Sequence, residues 1–310
     1  MYMPFLRGKQ FELLAVRELA ANLTATSINP IIEPVRERSD ALVRCLDELA
    51  LFQVPTTVIV NPRVGELASD DGTGTLLGVL ENQQNSSNLR LGVCVRATTN
   101  LDRVLSAVTS SSLRALPVDL IHEEFSGDEG VHSFVATDSH HLVRGKEDAR
   151  RYRPPLPGDH VKLADRFPVR KTNLEYVGAP PSLFTDDNVY FQADGYAGFS
   201  DYLTIGEAYA EGGSSPRAVV IHLTYPDPDG SIWIRHFCST SNADTSDVAG
   251  KFEEAVAQLV RFTNERGLRN SAIDAFVRYA NQGAYPGLGM VKKLSIQNHL
   301  WLMKDALADQ

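Results

Sequence analysis

Six short apolar runs recur at similar spacing through the first half of the chain, and most end in a polar or charged residue. They span Met3–Arg7, Pro30–Glu33, Thr57–Asn61, Leu91–Arg96, Pro117–His122 and Val131–Asp138. The first five are separated by helix-like stretches, so strand centres repeat about every 25 to 30 residues, the length of one βα unit. Strands alternating with helices imply a parallel sheet with right-handed crossovers. Near-continuous apolar strands suit a sheet covered by helices.

The intervening stretches read as helices. Phe11, Leu13, Leu14, Val16, Leu19 and Ala20 recur at helical spacing after Gly8-Lys9-Gln10. Ser39-Asp40 supplies an N-cap for a helix carrying Leu42, Val43, Leu46 and Leu49, a third helix lies near 75–84, and Asn100 caps a fourth. A closed (β/α)8 barrel and an open doubly wound sheet both satisfy this rhythm. No Gly-rich dinucleotide loop follows any strand, which favours the barrel.

Further on, residues 144–160 are charged and Pro-rich and read as a solvated surface excursion, with His140-His141 placed in a loop. Val161–Asp165 reads as another strand, and 166–193 as an insertion or lid. Phe199–Gly206 reads as a strand. Ala218–Tyr225 and Ser231–Phe237 flank the turn cluster Pro226–Gly230 and form an antiparallel hairpin late in the barrel. From Val248 the chain is helical in three pieces, near 248–266, 271–282 and 290–308. The expected organisation is an α/β barrel-like domain over 1–247 and C-terminal helices over 248–310 packed on the same domain.

The net charge of −9 and the pI near 5.4 disfavour general binding to nucleic acid or anionic membranes, which needs an excess of Lys and Arg. No apolar stretch approaches the roughly 20 residues that span a bilayer. Three scattered cysteines, Cys45, Cys94 and Cys238, fit buried thiols in a reducing compartment, and the expected location is cytoplasmic.

Several blocks carry a family resemblance. They are the Tyr-x-Pro opening, Gly8-Lys9-Gln10 with Glu12, Pro30–Pro34, Gly195–Tyr202, Ala218–His222 and Ile232–Phe237. Together they resemble the bacterial and phage "beta protein" family, named after a phage T4 protein. More closely they resemble its bacterial sister family of about this length, which is encoded beside a smaller companion gene. The resemblance covers nearly the whole chain. It implies a barrel-type α/β fold, a phage-defence or mobile-element setting and a companion protein as partner, but no reaction.

In parallel α/β folds the carboxyl ends of the strands surround the site. The polar groups expected there are Lys9, Glu33, Asn61, Arg96, His122, Glu123, Asp138, Asp165, Asp201 and His222. Glu33, between Ile32 and Pro34, suits a metal ligand or general base, against a plain ion pair with Lys9 or Arg7. His222, inside an apolar strand, suits a base or a satisfied core histidine, with Asp201 as partner. Arg235 suits bidentate capture of a phosphate or carboxylate, against a surface ion pair. Asp165 and Asp201 are the candidates for a divalent metal.

Two functions follow. One is a barrel hydrolase, with metal assistance, on a phosphate-bearing or nucleotide-like molecule. Glu33, Asp201 and His222 would be catalytic, and Lys9, Asn61, Arg96 and Arg235 would bind substrate. The other is a catalytically silent barrel that senses a ligand or regulates a companion protein. The hydrolase requires Glu33, Asp201 and His222 in one cavity.

Overall fold

A computed structural model describes residues 1–69, 71–83, 87–123, 131–144, 156–212 and 216–308. The chain divides into two compact units: residues 1–165 with 190–202, and residues 166–189 with 203–310.

The first unit is a barrel of eight parallel strands. In sheet order they are β1 (Phe5–Leu6), β2 (Ile31–Ile32), β3 (Thr56–Ile59), β4 (Leu89–Val95), β5 (Val118–His122), β6 (His140–Arg144), β7 (Asp159–Ala164) and β9 (Gly198–Asp201). The ring closes where the Met3 amide donates to the Phe199 carbonyl at 2.9 Å and the Phe199 amide to the Met1 carbonyl at 3.0 Å. Gly198 makes that approach possible, since a Cβ there would lie 2.6 Å from the Met1 carbonyl oxygen. Helices α1 (Gln10–Leu23), α2 (Asp40–Leu51), α3 (Gly72–Glu81) and α4 (Leu101–Ser110) connect the first five strands. Each buries an apolar stripe. Asn100 caps α4 by accepting from the Arg103 amide at 3.0 Å, whereas Ser39 makes no side-chain cap bond.

The TIM-barrel-like architecture read from the sequence is therefore present, with corrections in its second half. The Val131–Asp138 run is not a strand. It forms a 3₁₀ turn, Val131–Ser133, whose buried Val131 and Phe134 lie three residues apart, a helical rather than an alternating spacing. The sixth strand is instead His140–Arg144, so His140-His141 sit in the sheet rather than in a solvated loop. Residues 145–155 of the Pro-rich stretch lie outside the described residues.

The hairpin forms as expected but belongs to the second unit, not to the barrel. There β10 (Val220–Pro226), β11 (Ile232–Cys238) and β8 (Ser182–Thr185) make an antiparallel sheet in the order β10-β11-β8. The stretch expected to be a lid thus contributes a strand to this unit. Helices Val248–Glu265, Ser271–Gln282 and Leu288–Ala308 complete it. Period two puts Ile221, Leu223 and Tyr225 on the face packed against Phe252, Val256, Leu259 and Phe276. His222 and Thr224 take the other face, where Thr224 Oγ1 meets His299 Nδ1 at 3.0 Å. Leu294, Ile296, Leu300 and Met303 of the last helix are all buried. No helix among the described residues is long and apolar enough to cross a membrane.

Candidate functional site

Strand alternation organises the barrel interior. One apolar residue from nearly every strand meets at mid-height: Phe5, Ile31, Ile59, Cys94, Ile121, Leu142 and Leu163. Two residues further toward the carboxyl end, the same inward side carries Arg7, Glu33, Asn61, Arg96, Glu123, Arg144 and Asp165. A dry apolar layer is thus topped by a ring of charge, which is where a parallel barrel places its site.

Glu33, fully buried, is the hub. It pairs with the Arg7 guanidinium and accepts from the Arg63 amide at 2.6 Å and from Arg63 Nε and Nη2 at 3.3 Å each. Arg63 also pairs with Glu123. Arg144 Nη2 donates to the Tyr202 hydroxyl at 2.9 Å. Arg7 lies over the Phe5 and Tyr202 rings at 5.3 and 5.2 Å, which orients its guanidinium. The turn after β1 brings these groups close. Gly8 has φ +62, and a Cβ there would fall 2.9 Å from the Glu33 carbonyl oxygen. Glu12, in the first turn of α1, accepts from the Arg7 amide at 2.7 Å and fixes that residue's backbone.

The electrostatics are lopsided. Four guanidinium groups, from Arg7, Arg63, Arg96 and Arg144, are ranged against three carboxylates, from Glu33, Glu123 and Asp165, among the described residues of this ring. Burial works against the charge on Arg63, yet Glu33 above all holds it firmly protonated. Burial pushes the Glu123 carboxyl up, against the pull of Arg63, Arg144 and Arg96. Arg96 Nε is buried with no hydrogen-bond partner.

The residues singled out in the sequence do not all assemble here. Glu33 and Arg96 are in the ring. Lys9 sits at the start of α1, its carbonyl accepting from the Glu12 and Leu13 amides. Asn61 is spent on the sheet: its side chain exchanges hydrogen bonds with the Cys94 backbone at 2.8 and 2.9 Å, extending β3 alongside β4. Asp201 belongs to the opposite face of β9 and accepts from the Tyr2 hydroxyl at 2.8 Å. Asp165 follows Ala164, the register partner of Asp201, and takes the inward side, so these two carboxylates do not converge on one cation. Among the described residues no group of three or more His, Cys, Asp or Glu side chains can hold a metal ion.

His222 and Arg235 belong to the second unit and are engaged within it. His222 Nδ1 meets His236 Nδ1 at 2.7 Å, and both imidazoles pack against the Tyr176 ring. Arg235 lies over Phe237 and Phe262 at 5.3 and 4.8 Å. The trio Glu33, Asp201 and His222 thus occupies three separate settings. All three cysteines are buried and free, and burial lifts the Cys45 thiol to about 12.

Sequence reading missed Arg63 and Arg144 as members of the ring. The signal for Arg144 lay in strand parity from Leu142, hidden because β6 was not recognised. Arg63 follows the strand-ending Asn61-Pro62, and nothing in its spacing marks it. No family model, no curated protein and no solved structure matches this chain.

Proposed function

We propose that the carboxyl-end mouth of the barrel binds a small phosphate-bearing, nucleotide-like anion, and that this ligand is what the protein senses. The carrying observation is the excess of arginine in a largely buried ring, with Arg96 Nε sealed from water and facing no acceptor. A buried cationic nitrogen without an acceptor is costly, and a polydentate anion is the natural compensation. Glu33 is fully committed to Arg7 and Arg63, which disqualifies it as a free base and makes it the strut that aims them.

Hydrolysis is the second reading, favoured by Glu123. Its raised pKa, beside three arginines, suits a group that passes a proton to a departing oxygen. That version uses Glu123 in place of the Glu33, Asp201 and His222 set. The beta-protein resemblance adds the proposal of a companion protein, in a phage-defence or mobile-element setting, that reads the liganded state.

The test is thermal unfolding of the full chain with inorganic phosphate, pyrophosphate and nucleoside phosphates, using wild type and Arg96→Met. We expect stabilisation that grows with the logarithm of ligand concentration, about 2.7 kcal/mol at a hundredfold excess over Kd, and its loss in the variant. Absence of a shift with every anion would refute the site. Phosphate release by wild type but not by Glu123→Gln would promote the hydrolase reading. Glu33→Gln is a poor probe, because it removes the buried negative charge that Arg7 and Arg63 share.

A further inference from the structure

The second unit contains a cavity of its own that the barrel-mouth reading leaves unused. It has a volume of 260 Å³ and apolar walls that include Phe167, Ile205, Val220 and Val291. Small-molecule pockets run to about 300–1,000 Å³, so this one suits a single ring system. Its polar lining includes His222 and Thr204. Thr204 is 5% exposed, and its hydroxyl is buried with no hydrogen-bond partner. Buried hydroxyls are nearly always satisfied, so this one marks where a bound group would donate or accept. His222 uses Nδ1 on His236. Burial, reinforced by His236, drives the His222 pKa down to about 3, so its ring stays neutral near pH 7.

The cavity shares two wall residues, Asn173 and Leu288, with a larger groove of 450 Å³. The charged residues lining that groove are Lys171 and Arg217, and none of its described lining residues is acidic. Arg217 is held in place by a 2.7 Å bond from Nη2 to the Ala243 carbonyl. The cavity, whose polar lining also includes Ser295 and Lys292, therefore adjoins a groove bearing two further cations. The Asn173 side chain is positioned between them by its 2.9 Å bond to the Ala218 carbonyl.

We infer that this unit carries a second binding site, for a nucleoside monophosphate, with the base in the cavity against Thr204 and His222 and the phosphate in the groove on Lys171 and Arg217. The site is independent of the barrel mouth. Flat heterocycles carry donors and acceptors on their edge and tolerate apolar faces, while a phosphate is matched by the Lys and Arg pair.

The test is calorimetric titration of the full chain with the four common nucleosides, their 5′-monophosphates, and indole as an apolar ring without matching edge groups. We expect at least one nucleoside to bind, its monophosphate to bind more tightly, and indole to bind more weakly than either. Thr204→Val, nearly equal in volume, should weaken nucleoside and nucleotide alike by about five- to tenfold, the loss of one hydrogen bond. Lys171→Ala with Arg217→Ala should bring the monophosphate down to the affinity of its nucleoside and leave the nucleoside unchanged. Leu288→Trp, at a partly exposed wall position, should block both. Arg96→Met in the barrel mouth should change none of these values. The proposal is overturned if no nucleoside or monophosphate binds, if indole binds as tightly, or if Arg96→Met abolishes binding while Thr204→Val does not.

Discussion

The barrel has charge at both ends of its interior, and the two ends are built differently. At the amino end Asp119, fully buried, gathers every donor around it. Thr57 Oγ1 reaches it at 2.6 Å, Arg90 Nε and Nη2 at 2.9 and 2.7 Å, and the His140 amide at 3.0 Å. Arg90 Nη2 also donates to the Asp138 carbonyl at 2.6 Å. One buried carboxylate faces one guanidinium, which also has the exposed Asp138 carboxylate 3.8 Å away, and the remaining bonds to Asp119 come from the Thr57 hydroxyl and from His140. At the carboxyl end, among the described residues, four guanidinium groups face three carboxylates, Glu33, Glu123 and Asp165, and Arg96 keeps a buried nitrogen without an acceptor. A closed, balanced cluster plugs the barrel bottom, whereas an unbalanced one is poised for something that arrives. The same contrast of ends separates stability from function in parallel barrels generally.

The largest expected effect tests the plug. Asp119→Asn keeps the volume but leaves Arg90 with only the exposed Asp138 carboxylate at 3.8 Å, and breaking a buried pair in this way costs about 3–5 kcal/mol. Urea unfolding of the variant checks it. A loss below about 1 kcal/mol would mean that the amino-end cluster is no more structural than the mouth.

The two ends should also respond to pH with opposite sign. Burial alone would raise the Asp119 pKa, but hydrogen bonds from His140 and Arg90 bring it down to about 2. Its contribution is therefore present above the ordinary carboxylate value near 3.9 and is lost as pH falls from there through about 2, on the order of 2 kcal/mol. Glu123 is shifted the other way, chiefly by burial. Between its ordinary pKa and its raised one, the folded state holds the extra proton, so its contribution falls as pH rises. Difference curves isolate each group: wild type minus Asp119→Asn should slope upward with pH in the acid range, and wild type minus Glu123→Gln downward above about 4.3. Slopes of the same sign would erase the distinction.

A smaller effect sharpens the description of the plug. Thr57→Val removes one neutral donor to Asp119 and should cost about 1–2 kcal/mol. It should also move the acid transition of Asp119 upward, because one bond to the charged form is gone. A stability loss without that movement would assign the Thr57 contribution to packing.

How much of this was legible in the sequence depends on which side of a strand a residue occupies. The first five strands announce themselves because both faces are buried, one by the barrel core and one by helices, so Ile31-Ile32 and Leu91–Val95 read as continuous apolar runs. β6 was hidden because its inward His140 serves the amino-end plug and its outward His141 stacks between His122 and His160, at 5.3 and 5.2 Å. Two histidines that are polar for separate structural reasons look, in sequence, like a solvated loop. The strand-end rule located Glu33, Arg96 and Glu123, but it is blind to parity. It counted Asp201 with the mouth although Asp201 points away from the interior, toward Tyr2. His222 and Arg235 misled differently, since a hairpin's strands read alike whether they close a barrel or form a separate sheet.

Arg96 carries the smallest stability effect and the sharpest test of the comparison. If the mouth were a second structural plug, every arginine in it would be worth several kcal/mol. Arg96→Met keeps most of the apolar stem and deletes a guanidinium whose buried Nε has no acceptor to lose. It also relieves repulsion among four neighbouring cations. The expected change in unfolding free energy without ligand is therefore within about 1 kcal/mol of zero, of either sign. Anion-linked stabilisation should disappear in the same variant. A group that contributes little to folding yet is required for ligand response is retained for binding. If Arg96→Met instead unfolds the protein as readily as Asp119→Asn, the two ends of the barrel are alike and the mouth loses its claim to be a site.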